Sequence, residues 1–152
     1  MGMFDGMNIS GSALTANRFK MDVHADNIAN QQTTRARLNE AGEWEPYRRK
    51  IVTQEAKGEQ FNQLLHKAIG KKDVSTGKGV FIHSVKEDPA PFEPVYNPNH
   101  PDANEEGYIM MPNVDPLKEM MGMMTASRAY EANVTALNAS KGILMKSLEI
   151  GK

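Results

Sequence analysis

All eight prolines of this 152-residue chain fall between positions 46 and 116, and five of them crowd into PAPFEPVYNPNHP, residues 89–101. A proline inside a helix removes a hydrogen bond and clashes with the preceding turn, and inside a central strand it breaks the ladder. Both ends are therefore free to form long helices, and the middle is not. The C-terminal end has the clearer start. Asp115 suits an N-cap, Pro116 suits the first helical position, and no proline follows. Met120, Met123, Ser127, Tyr130, Val134, Leu137, Lys141, Leu144 and Leu148 alternate steps of three and four, with Gly151 as the expected stop. Such a helix has about 35 residues and is ~50 Å long.

At the other end, Met7, Leu14, Met21 and Ile28 recur every seven residues. Three places ahead of them stand Phe4, Gly11, Arg18 and Ala25, so one seam is large and the other mixed and mostly small. Ser10 or Ser12 is a candidate cap or interruption, and the helix is expected to fade near Thr33 and Thr34. Within it, Asn27 and Asn30 lie one turn apart in MDVHADNIANQQTTR, residues 21–35. Asparagine competes with the backbone for hydrogen bonds and is disfavoured inside helices. These amides need partners.

The middle reads as strands and turns. YRRKIVTQ, GVFIHSVKE and EGYIMMP have strand composition, and FNQLLHK reads as a short helix ahead of a polar loop. The proline-rich piece reads as an extended connection, with tight turns at Asn97-Pro98 and between Asn99 and Asp102. The expected class is α+β, with long terminal helices packed as a coiled-coil-like pair around a small β-rich module. The expected divisions are residues 1–35, 36–112 and 113–152, with a variable insert at 57–78. Helices this long cannot bury their seams along their full length on so small a module, so they pack on each other, on other molecules, or both; packing on other molecules is expected, with full ordering on assembly.

Composition narrows the functions. A net charge of −1 argues against a general nucleic-acid binder. Without cysteine there is no disulfide frame or thiolate chemistry. No run of eighteen apolar residues spans a membrane, and MGMFDGMNIS lacks the basic start and apolar stretch of a cleaved secretory signal.

Candidate chemistry is thin. His100 lies near Asp102, Glu105 and Glu106, but a metal needs three or four convergent ligands, and a solvated turn fits this loop better. Asp22, His24 and Asp26 stand two apart, so they share no helix face. Met120, Met121, Met123 and Met124 suit adaptable apolar packing better than a copper site. Arg48, Arg49 and Lys50 line a surface or pair with acids. Gly122 and Gly142 each cost the last helix about 1 kcal/mol, which close helix approach, or mere tolerance, explains. No phosphate loop, nucleophile elbow or dinucleotide fingerprint is present. No catalytic residue, cofactor or metal is expected.

Three separated stretches carry a family likeness. ALTANRFKMDVHADNIANQQTT (residues 13–34) resembles the N-terminal signature of bacterial flagellar rod and hook axial proteins. His24 and Asp26 stand where that box more often has a small aliphatic residue and a serine. EMMGMMTASRAYEANVTALNASKGILMKSLEIG (residues 119–151) is similar to the matching C-terminal signature, most tellingly at SRAYEAN. YNPNHPDANEEGYIMMPNVDP (residues 96–116) and PYRRK (46–50) resemble the proximal-rod members. The resemblance implies a structural subunit of the basal-body rod in the periplasm, exported by the flagellar type III apparatus. It implies assembly with copies of itself and other rod proteins, with the membrane-embedded ring and export gate as further neighbours. It implies no catalysis, and no nucleic acid or membrane span. Another axial protein of the flagellum such as a neighbouring rod subunit, a soluble enzyme working around His100, and a lytic enzyme opening the cell wall are the rivals; residues 96–116 argue against the first, and the paired acid and base that glycan cleavage needs is not found. Contacts are expected at Leu14, Met21, Asn27, Ile28 and Asn30, and at Met124, Arg128, Tyr130, Asn133, Val134, Leu137 and Leu144. Asn27, Asn30, Asn133 and Asn138 are expected to bond across or beside packed helices and fix register.

Overall fold

The computed structural model describes residues 4–39, 42–57, 69 and 78–150. Helix α1 spans Asp5–Ala29 and helix α2 spans Pro116–Ile150. Six strands lie between them: β1 (Arg37–Leu38), β2 (Trp44–Glu45), β3 (Lys50–Ala56), β4 (Val80–Glu87), β5 (Glu93–Tyr96) and β6 (Tyr108–Met111). They form three two-stranded sheets, β1-β2, β3-β4 and β5-β6. The expected α+β class, with two packed terminal helices and a small strand module, is what folds.

The start of α2 follows from its sequence. Asp115 Oδ1 accepts from the backbone N–H groups of Leu117 (3.0 Å) and Lys118 (3.3 Å), satisfying two donors that a helix start leaves open. Its 35 residues run on without interruption. Helix α1 corrects the expectation of a serine cap. It begins at Asp5 and runs through both serines. Ser12 Oγ instead donates to the Ile9 carbonyl (2.7 Å) and accepts from Val80 N–H (3.1 Å), so it ties the start of β4 to the helix. The helix ends at Ala29, a few residues short of Thr33. There Asn30 Nδ2 donates to the Asp26 carbonyl (2.9 Å), one of those the helix end leaves exposed.

The three strand-like stretches of the middle all hold strands. β3 and β4 run antiparallel, since Asp88 N–H meets the Arg49 carbonyl at one end and Lys57 N–H meets the Gly79 carbonyl at the other, both at 2.8 Å. The proline-rich connection holds one more strand than expected. β5 pairs antiparallel with β6, with Glu93 opposite Met111 and Tyr96 opposite Tyr108. Pro94 is tolerated because a two-stranded sheet leaves each strand a free edge. The expected turns lie beside it, with His100 N–H bonded to the Asn97 carbonyl (3.2 Å) and Ala103 N–H to that of His100 (3.0 Å). Gly107 closes the hairpin at φ +81°, and a Cβ there would come within 2.9 Å of the Tyr96 ring. The small β1-β2 hairpin had no signal, because two-residue strands are too short to show alternation. The helix expected at FNQLLHK lies outside the described residues.

The chain divides into two compact units, each taking part of both helices. Unit 1 comprises Met1–Phe19, Thr53–Ser84 and Ala126–Lys152; unit 2 comprises Lys20–Val52 and Val85–Thr125. In unit 1, Gly6 of α1 faces Ser140 of α2, and Ser10, Ala16 and Ala126 are buried. In unit 2, His24 of α1 faces Gly122 of α2, and Val23, Tyr47, Ile109 and Val114 form the apolar core. The two helices are thus neighbours in both units. The innermost line of α1 is Ser10, Ala16, Val23 and Asn27, while Met7, Leu14, Met21 and Ile28 stay half-buried at its margin. Small residues on the inner line let the helix axes approach.

Candidate functional site and assembly surfaces

Unit 2 is built around a buried polar node. Glu119, in the first turn of α2, and Asn27, near the end of α1, are both 0 % exposed. Glu119 Oε1 accepts from Arg49 Nε at 2.7 Å, and Oε2 accepts from Asn27 Nδ2 at 2.9 Å. His24 Nδ1 lies 2.7 Å from the same Oε2. An ionised carboxylate only accepts, so the imidazole carries a proton on Nδ1. Burial alone pushes the Glu119 carboxyl up. The hydrogen bonds from Asn27, His24 and Arg49, with the Arg49 charge, outweigh it and leave the pKa below the ordinary 4.5. The node holds a stable anion.

Asn27 answers the question its position raises. Its Nδ2 also donates to the Lys50 carbonyl (2.9 Å), and its Oδ1 accepts from Lys50 N–H (2.9 Å). The side-chain amide pairs with the start of β3 as another strand would. Tyr47 Oη lies 2.9 Å from Asn27 Oδ1 and 3.1 Å from Asp26 Oδ2. Burial, reinforced by the Asp26 charge, raises the pKa of that phenol, so it remains a donor. Losing Asn27 would strand several buried groups, at about 1–3 kcal/mol each.

The surrounding charges are paired. Arg49 Nη1 reaches Asp88 (3.2 Å), Lys50 Nζ reaches Asp26 (2.8 Å), and the Arg48 guanidinium stacks 4.3 Å over the Phe92 ring. The expectation that this basic run pairs with acids or lines a surface holds. Gly122 is where the node needs room: a Cβ there would sit 2.5 Å from the His24 ring. Close approach explains this glycine. At Gly142, among the described residues, nothing comes within 4 Å of a Cβ, so close approach inside the subunit does not explain it. Sequence reasoning missed Glu119 and Arg49 as node members, because their pairing with Asn27 joins positions far apart in the chain.

His100 sits in a turn, as read. Asp102 N–H donates to its Nδ1 (3.1 Å), while Asp102 Oδ2 accepts from Thr34 (2.9 Å) and Oδ1 from Arg35. Among the described residues no cluster of three or more metal-ligating side chains occurs, and no helix is long and apolar enough to cross a membrane.

The residues expected to make contacts are placed unevenly. Asn27 is spent inside the subunit, and Asn30 binds Asp26 beside it. Asn133 Nδ2 donates to the Ala129 carbonyl of its own helix (2.7 Å). Leu14, Met21, Ile28, Tyr130, Val134, Leu137 and Leu144 are half-buried; Met124, Arg128 and Asn138 are exposed. Further large apolar side chains stand in the open on α2 and just ahead of α1. Phe4, Leu117, Ile143 and Leu148 are each more than 60 % exposed.

Two family descriptions match the chain. Residues 7–37 match "Flagella basal body rod protein", and residues 105–150 match "Flagellar basal body rod FlgEFG protein C-terminal". Over its full length the chain is 52 % identical to the full "Flagellar basal-body rod protein FlgC" of Bacillus subtilis. The chain belongs to the FlgC family of flagellar basal-body rod proteins. FlgC of Borreliella burgdorferi is 35 % identical over 99 % of this chain and 98 % of its own. FlgC of Escherichia coli O6:H1 is 36 % identical over the whole of both. A FlgC-family chain is a structural subunit of the rod of the flagellar basal body. The two matched regions take in nearly all of α1 and α2, so the rod signature lies on the two helices.

Proposed function

We propose that this subunit polymerises through α1 and α2 with copies of itself and with other rod proteins, and that the resulting shaft transmits torque passively. The supporting observation is the apolar surface left on both helices, above all Ile143, Met145 and Leu148 at the end of α2. A helix that finished folding inside one subunit would cover such side chains. Apolar residues on these helices are spread around the circumference instead of forming one stripe, which suits a helix with neighbours on several sides. Leu14, Met21, Ile28, Asn30, Met124, Arg128, Tyr130, Asn133, Val134, Leu137 and Leu144 are the proposed contact residues, with Arg128 pairing with an acid on a neighbour. Asn27 contributes by fixing the subunit's own shape. In this reading residues 1–35 and 113–152 act as axial segments and 36–112 as the module between them. The membrane-embedded ring and the export gate are neighbours, the type III apparatus is the exit route, and no step is catalytic.

Met120, Met121 and Met124 are about half exposed, and Met123 is partly covered. Flexible thioethers fit unlike neighbours better than branched side chains do. Replacing all four with leucine leaves export intact and impairs assembly; unchanged motility would contradict this role. The direct test is complementation of a flagellated strain lacking its own FlgC. A chain carrying Ile143→Asp and Leu148→Asp is exported and fails to restore swimming, whereas full swimming would overturn assembly through α2.

A further inference from the structure

We infer that Pro94 and Asn104 close the two edges of the β5–β6 hairpin, so that this strand pair does not recruit a strand from a second copy of the chain. The inference concerns the free subunit and does not depend on how the helices assemble.

The hairpin needs such a guard. Cross-strand partners share a face, so Pro94 and Tyr96 of β5 lie beside Met110 and Tyr108 of β6. Tyr96 is 65 % exposed, Met110 50 % and Tyr108 42 %. The two tyrosine rings meet edge to face, with 5.3 Å between centroids. Among the described residues no third strand joins the pair. A ribbon with an open apolar face and two free edges is a template for another strand.

The register says which backbone groups those edges present. Asn97 N–H donates to the Gly107 carbonyl (2.9 Å), in step with the pairs Val95–Ile109 and Glu93–Met111. In an antiparallel ladder the residues between bonded pairs turn their N–H and C=O groups outward. The outward positions are therefore Pro94 and Tyr96 on β5, and Tyr108 and Met110 on β6. Pro94 has no N–H to give. On β6 both groups of Tyr108 are taken. Its N–H donates to Asn104 Oδ1 (2.8 Å), and its carbonyl accepts from Asn104 N–H (2.9 Å). Asn104 thus stands where a third strand would stand. Past Met111 comes Pro112, again without a donor. At most one N–H is left on each edge, at Tyr96 and at Met110, and a ladder needs a run of them.

The test uses the full chain carrying Pro94→Val, alone and together with Asn104→Ala. Pro94 is exposed, so valine restores a donor at the edge without entering the core. Asn104 Oδ1 also accepts from Glu106 N–H (3.1 Å) and so holds the turn, which makes Pro94→Val the deciding variant. Hydrogen exchange of the amides at 93–97 is followed by mass spectrometry at low and at high protein concentration, beside sedimentation velocity. In Pro94→Val these amides are expected to gain at least about tenfold protection at high concentration, together with a larger sedimenting species. The double variant should gain more. In the unaltered chain their exchange stays independent of concentration. Exchange independent of concentration in Pro94→Val would overturn the inference. So would protection that rises with concentration in the unaltered chain, because the edges would then be open already. A double variant that associates no more than Pro94→Val would overturn the role of Asn104. Contacts through the helices leave the 93–97 amides unchanged, so a failure here is distinct from a failure of the swimming test.

Discussion

The two compact units share the same two helices yet solve the packing problem differently. Unit 2 encloses a carboxylate and an amide, gives each a full set of partners, and places Gly122 where the His24 ring needs space. Among its described residues, unit 1 buries only small side chains, Ser10, Ala16 and Ala126, and leaves Ile143, Met145 and Leu148 in the open. Both units leave apolar surface over: Leu117, Met120, Met121 and Met124 stand open in unit 2, and Ile143, Met145 and Leu148 in unit 1, on a protein whose family builds a rod. What sets unit 2 apart is the buried polar node that joins its two helix segments.

The largest effect expected to break this comparison is at Glu119. Glu119→Gln removes one partner of a buried ion pair and should cost about 3 kcal/mol, read as a lower urea midpoint for the free chain. The same group sets a pH dependence. Its folded pKa is depressed below 4.5, so its stabilising contribution is present above that value and is lost as pH falls through the folded pKa. Taking the unaltered chain from about pH 6 to about pH 3 should lower its midpoint more than that of Glu119→Gln. Equal losses would remove Glu119 from the explanation.

Next come the two glycines of α2, which sharpen the contrast. Gly122→Ala adds a methyl against the His24 ring and should destabilise by about 1–2 kcal/mol, after overpacking outweighs the gain in helix propensity. Gly142→Ala meets open space and should stabilise α2 wherever that segment is folded, by up to about 1 kcal/mol. Thermal melts of the two variants should move in opposite directions, and a shared direction would mean the two regions pack alike. The smallest effect belongs to the exposed pair Lys146–Glu149, 2.9 Å apart. Lys146→Ala should shift the midpoint by no more than about 0.5 kcal/mol.

Much of this was legible in the residues. Prolines confined to 46–116, with Asp115-Pro116 at their edge, set where α2 begins and left both ends helical. The three strand-like stretches became strands because their β-branched and aromatic residues fit a half-buried ribbon. Ser12 was misread, because a hydroxyl that bonds its own helix and a distant strand looks like a cap in sequence. β5 was missed, because prolines mask an edge strand. The amides showed that something needed hydrogen bonds at Asn27 but not what supplied them. Lys50 and Glu119 lie 23 and 92 residues away, and only the fold brings them together.

Because the chain has no cysteine, one introduced thiol reports cleanly on a chosen surface. Ile143→Cys in the free subunit should react readily with a maleimide, since that position is 70 % exposed. The decisive measurement compares that rate with the rate in intact isolated basal bodies. Protection of the thiol in the assembled rod is the expected result, because a neighbour then covers the end of α2. Equal reactivity in both states would contradict assembly through this helix.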